Sequence, residues 1–192
     1  LGSNVSNYIG MVTLLDENYP KELKNCSGKP LTLFYMGTLP GHGVKVGIGG
    51  TRKPSELGKK IAYEITYELA IRGFYIVSGL ALGIDSEVHK AAIHGGGVTI
   101  AVLPWLYPIT PKLNEPLAKE IMRRNGCLLS EYIYKLSLWG TYFIKGLFMQ
   151  RNRIITGLSK VFIAIEPKGN GGTYQAIKYA LKQGKRVFII LS

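Results

Sequence analysis

The chain has 192 residues, 46% of them hydrophobic, with 24 Lys and Arg against 12 Asp and Glu for a formal charge of +12. The apolar content is ample for the core of one domain plus a short extra piece, and the charge favours polyanionic partners. No uncharged apolar run approaches the roughly 18 residues of a spanning helix and no signal or lipidation pattern opens the chain, so no membrane partner is expected; Cys26 and Cys127, far from any C-x-x-C spacing or His cluster, read as reduced cytosolic thiols and not metal ligands.

Leu1-Gly2-Ser3 fits a cloning remnant as well as native sequence. Residues 1–43 are expected to form an N-terminal extension packed on a sheet: Asp16-Glu17-Asn18-Tyr19-Pro20 is turn chemistry, and 31–36 is one strand-like run. Residues 44–192 then alternate short β-branched runs with helical ones. The runs 44–48, 74–77, 98–103, 127–129, 161–165 and 187–191 are too short for helices and too continuously apolar to have a wet face, as strands of a parallel sheet read. Between them, Ile61, Ile65 and Leu69 form one apolar stripe ended by Gly73. Asp85 is a natural N-cap for a helix burying Val88, Ala91 and Ala92, and further helices run over 115–124 and 173–183. The stretch 104–116, with four prolines, must be an irregular loop at a strand's carboxyl end. Six strands alternating with helices predict an α/β fold, a doubly wound, mostly parallel, Rossmann-like sheet.

Ligands of such sheets bind where strand ends lead into helix N-termini. Four segments there have suggestive chemistry. The run Gly47-Ile48-Gly49-Gly50-Thr51-Arg52-Lys53-Pro54-Ser55 offers glycines, a hydroxyl and two cations. It is no dinucleotide fingerprint, because Arg52 stands at the third glycine position of G-x-G-x-x-G and Ser78 replaces the ribose-binding acid. The run from Ser78 and Gly79 to Asp85 offers a hydroxyl and backbone N–H groups, with Asp85 as cap and His89 as a packed histidine. Gly171, Gly172 and Thr173 place amides at a helix start, suited to an anion. Lys145 and Phe148, at K-x-x-F spacing, precede Arg151-Asn152-Arg153, where two cations straddle an amide and something acidic is expected. The four should converge on one edge as a basic rim with amides and an aromatic, a surface for phosphodiester chain and not a hydrolytic site.

Together Gly50-Thr51-Arg52-Lys53-Pro54-Ser55, the run from Ser78 to His89, Ser130-Glu131-Tyr132 and Arg151-Asn152-Arg153-Ile154-Ile155-Thr156-Gly157-Leu158-Ser159 resemble the DNA-processing protein A (DprA/Smf) family in order and spacing. Asp16-Glu17-Asn18-Tyr19-Pro20 and Leu33-Phe34-Tyr35-Met36-Gly37 resemble its lead-in to the sheet. The resemblance implies a dimeric cytoplasmic protein that binds single-stranded DNA, shields it and helps load a RecA-type recombinase, with no cofactor and no catalysed reaction. It also implies a pocket using Arg52, Lys145 and Phe148, with strand-end amides at Ser78-Gly79 and Gly171-Gly172-Thr173. Thr51 replaces the usual Ser, Met149 stands where a Pro is common, and Trp139 and Tyr142 lie where a Pro-rich segment is usual. Natural transformation and another recombination or mobile-element context both fit. Two other functions share this sheet. A nucleoside monophosphate phosphoribohydrolase needs a glutamate where this chain has Ala176, and a nucleotide-sensing module would use the same loops.

Overall fold

The computed structural model describes residues 8–39, 41–136 and 138–191, so Leu1-Gly2-Ser3 lies outside it. Its centre is β3 (Lys45–Gly50), the first parallel strand. From there the chain steps one way through β4 (Tyr75–Ser78), β5 (Thr99–Val102) and β6 (Cys127–Ser130), then returns to the other side of β3 for β7 (Val161–Ile165) and β8 (Arg186–Ile190). All neighbours in this order, 6-5-4-3-7-8, are parallel. The order reverses between β3 and β7, and a doubly wound sheet opens a crevice at that point.

The expected α/β sheet is therefore present, and it is wider than six strands. β1 (Gly10–Thr13) and β2 (Thr32–Gly37) pair antiparallel with each other, and β2 pairs antiparallel with β6, which makes eight strands. The early segment thus joins the plane of the sheet at its edge. Between the two strands, α1 (Lys21–Lys24) and its flanks are fixed by Tyr19, 1% exposed, whose hydroxyl donates to Pro30 O at 2.6 Å. Lys45, inside an otherwise apolar strand, is buried against Glu22 at 2.7 Å and the carbonyls of Gly41 and Gly43.

Helices cover both faces. Successive strand residues alternate between them, as pleating requires. Val77, Ile100, Val102, Phe162 and Ala164 meet α6 (Asn152–Leu158) and α7 (Gly172–Lys182) on one side. Ile48, Ile76 and Ile165 meet α2 (Glu56–Ile71) and α3 (Ile84–His94) on the other, where Ala101, Leu103 and Leu128 also meet α4 (Glu115–Arg123). Two details differ from the sequence reading. The buried line of α2 is Gly58, Ala62, Thr66 and Ala70, with Ile61, Ile65 and Leu69 only half-buried beside it; small residues let helix and sheet backbones approach. β8 is an edge strand, and Phe188 and Ile189 are about half exposed on it.

Candidate nucleic-acid interface

A cavity of about 600 Å³ opens at the carboxyl ends of β3, β4 and β7, at the point where the strand order reverses. Its walls come from all four predicted segments: Arg52, Ser78, Lys145, Phe148, Arg151, Asn152, Gly171, Gly172 and Thr173 all line it. Lys53 and Gly79 do not. Lys53 is exposed, its N–H donating to Thr51 Oγ1 at 3.2 Å and its carbonyl accepting from Lys168 Nζ at 3.3 Å. Gly79 lies behind the wall with the Arg151 guanidinium pressed onto its Cα, where any Cβ would stand.

The K-x-x-F segment is helical, which the sequence reading did not anticipate. In α5 (Thr141–Gln150), Thr141, Ile144, Lys145 and Phe148 recur at i, i+3, i+4 and i+7 and line the cavity as one stripe. That spacing was the signal available, masked by the neighbouring aromatic residues. Lys145 is exposed, and Phe148 is half-buried with the Arg52 guanidinium 5.7 Å from its centroid and the Trp105 ring edge-on at 5.5 Å. Lys168 also lines the cavity; it stood in the glycine-rich loop without being singled out. Four cations, Arg52, Lys145, Arg151 and Lys168, thus share the wall with one carboxylate, Asp85.

The two arginines of Arg151-Asn152-Arg153 separate, because residues two apart on a helix face nearly opposite directions. Arg153 points away from the cavity, bonded to Glu131 and to Gly28 O, both at 2.7 Å, and holds the N-terminal segment against α6. Arg151 turns inward, 7% exposed, and donates through Nη1 to Val102 O at 2.8 Å. Burial pushes its pKa down to about 10 against the support of Asp85, so it stays charged at neutral pH. Beside it Asn152 donates to Gly172 O at 2.9 Å, fixing the start of α7.

Asp85 is not the cap of α3. Gly83 holds that position with φ +81°, and a Cβ there would meet Thr51 O at 2.5 Å. The Asp85 carboxylate instead turns back into the loop and accepts from Ala81 N–H at 3.3 Å. Burial raises its pKa, while Arg151 and the surrounding amides oppose the shift. The amides at the start of α2 are also committed: Ser55 Oγ accepts from Gly58 N–H at 2.9 Å, and Glu166, at the end of β7, bonds both the N–H and the hydroxyl of Ser55. The α7 start is different, with no side-chain cap and Gly171, Gly172 and Thr173 in the cavity wall; its first amides have no intrahelical acceptor and carry the positive end of the helix dipole. Ser78 Oγ and Arg151 Nε are buried and find no hydrogen-bond partner among the described residues. Cations, uncapped helix amides and unpartnered polar groups around one cavity are chemistry suited to an anion.

His89 is fully buried, with Nδ1 2.8 Å from Thr99 Oγ1, and burial, helped by Arg151, pushes its pKa down to about 3. A depressed folded pKa stabilises above the unfolded value and loses that contribution as pH falls. Between about pH 6.5 and pH 3, urea stability should therefore fall by up to roughly 1.4 kcal/mol per pH unit more in the parent than in His89→Gln. Identical acid limbs would show that the imidazole takes up its proton within the fold.

The sequence model of the DNA recombination-mediator protein A family matches residues 10–191. The chain is 38% identical to the DNA processing protein DprA of Bacillus subtilis over 95% of its own length and 60% of the relative's. Its structure resembles that of DNA processing protein A from Streptococcus pneumoniae with a TM-score of 0.85 and 34% identity, over 97% of this chain and 64% of that one. The protein from Helicobacter pylori, described for its single-stranded DNA binding mode, gives 0.80 and 31% over 96% and 81%. The chain thus spans about 60% of the length of the Bacillus relative. On the sequence match, the shared fold and the converging loops together, this chain belongs to the DNA recombination-mediator protein A family.

Proposed function

We propose that the chain binds single-stranded nucleic acid, DNA above all, at this cavity and with little sequence preference, as the DNA-handling part of a recombination mediator. The observation that carries this reading is the wall itself: four cations, the uncapped amides of α7 and the Phe148 ring around one cavity. Phosphates sit on the α7 start with Lys145 and Lys168, and a base lies against the Phe148 and Arg52 pair; none of these groups reads a base edge. The single-stranded DNA binding of the Helicobacter relative supports the choice of ligand. Shielding of the strand, loading of a RecA-type recombinase and assembly as a homodimer in the cytoplasm complete the proposal, and Phe188 and Ile189 on edge strand β8 offer a second copy an apolar surface.

Function by binding, without turnover, fits the cavity chemistry. Ala176 lines the wall where a phosphoribohydrolase of this sheet would carry its glutamate, and no group of three or more His, Cys, Asp or Glu among the described residues could hold a metal. Release of base from a nucleoside monophosphate, abolished by Thr173→Ala, would favour the enzyme instead.

The test is a salt titration with oligonucleotides. Log affinity for a single strand should fall with log salt by roughly 0.7 per phosphate contact. Arg52→Ala and Lys145→Ala should each weaken binding to all sequences alike and flatten that slope by about one contact's worth. A flat salt response, tighter binding to duplex, or tighter binding to mononucleotides than to oligonucleotides would refute strand binding.

A further inference from the structure

The edge of the sheet that holds the cavity carries a second feature, beyond the ends of β5 and β6. The loops leaving these strands do not diverge. Leu106 N–H donates to Tyr132 O at 2.9 Å, Tyr107 N–H to Ile133 O at 2.7 Å and Lys135 N–H to Tyr107 O at 3.0 Å, so the ladder continues past the edge as a short ribbon. Tyr107 and Tyr134 pair on it, 59% and 57% exposed, with their rings edge to face at 6.2 Å. Behind them Trp105 is buried with its indole N–H on Pro108 O at 3.0 Å, and Lys135 Nζ lies 5.8 Å from its ring.

This ribbon is joined to the cavity by rings in contact. Phe148, in the cavity wall, meets Trp105 at 5.5 Å; Trp105 meets Trp139 at 6.1 Å, and Trp139 meets Tyr132 at 5.5 Å. β5 and then β6 follow β4 in the sheet, so the ribbon stands roughly 10 Å along the edge from the cavity, two or so strand spacings. The Glu131 carboxylate is committed to Arg153, and Lys135 places a cation on the ribbon. Exposed tyrosines offering ring faces beside a cation, continuous with an anion-binding cavity, are the chemistry that single strands use for sequence-tolerant stacking.

We propose that the Tyr107 and Tyr134 ribbon is a second stacking subsite, which receives the bases of a single strand after it leaves the cavity. The proposal rests on the strand-binding reading above. It makes the footprint longer than the cavity and gives the strand a direction along the sheet edge, from β7 towards β6. The ribbon acts only on strands long enough to reach it.

Oligothymidylates of about two and about twenty nucleotides, the first too short at about 3.4 Å or more per nucleotide to fill the cavity and also reach the ribbon, the second crossing the edge, separate the two subsites. Tyr107→Ser with Tyr134→Ser should leave affinity for the short oligonucleotide unchanged and weaken the long one about tenfold or more, one stacked base's worth. Both residues are exposed, and an unchanged melting temperature checks the fold. Equal loss at both lengths, no loss at either, or a changed sedimentation coefficient that marks the ribbon as a contact between copies would each overturn the proposal. A parent protein that binds neither length would overturn the cavity reading and the ribbon with it, whereas a parent that binds both while the double variant matches it would overturn the ribbon alone.

Discussion

Arg151→Met is expected to destabilise the fold by about 3 kcal/mol, the loss typical of removing one charge from a buried set whose other members remain. The Val102 carbonyl loses its donor, and Asp85, 7% exposed, loses the cation that favours its ionised form. An unsatisfied buried acceptor alone costs roughly 1–3 kcal/mol. Against this, Met fills similar volume without a charge to desolvate, and Arg151 Nε has no partner among the described residues, so the guanidinium is itself held at a cost. The two effects are separated by Asp85→Asn combined with Arg151→Met, which should recover about 1–2 kcal/mol relative to additivity. Urea midpoints of the four proteins are the measurement. An Arg151→Met protein as stable as the parent would show that the guanidinium contributes nothing net to folding and is kept for its ligand.

Phe148→Ala should lower affinity for single-stranded oligonucleotides about tenfold or more, the loss of one stacked base. The ring is half-buried, so truncation should also reduce stability, by about 1–2 kcal/mol against the roughly 3–5 kcal/mol of a fully buried Phe. Phe148→Leu separates the roles. It keeps the apolar packing on Trp105 while removing the flat face over which Arg52 lies, so stability should return towards the parent value and affinity should not. Recovery of affinity with Leu would make the side chain a packing element of the wall and move the stacking surface to Arg52 or to the rings beyond.

These two residues were named together in the sequence and stand in different environments in the structure. Spacing alone gives both as ligand contacts. Burial and partners then make Arg151 part of the floor and leave Phe148 on the wall, and they remove Arg153 from the site to clamp residue 28 and Glu131. Asp85 shows the same limit. Its position before a helical run is that of a cap, but Gly83, whose backbone bends at positive φ under Thr51 O, starts the helix two residues earlier.

The parallel core was legible because its cause is local. Strands covered on both faces must be apolar throughout, and each helix between them must carry a stripe, so length and periodicity give the alternation and the α/β class without reference to distant contacts. From that class the carboxyl edge follows as the ligand edge, and with it the convergence of four loops from all parts of the chain. The pairing of β1 and β2 at the far edge was not legible, since short half-polar strands are selected by the partner they meet and not by their own sequence. Only the tertiary structure decided which cations face the cavity, that the α2 start is sealed by Glu166 while the α7 start stays open, and that Tyr107 lies against Tyr134. Each depends on side chains far apart in sequence sharing a few ångströms, and a one-dimensional pattern carries no record of that.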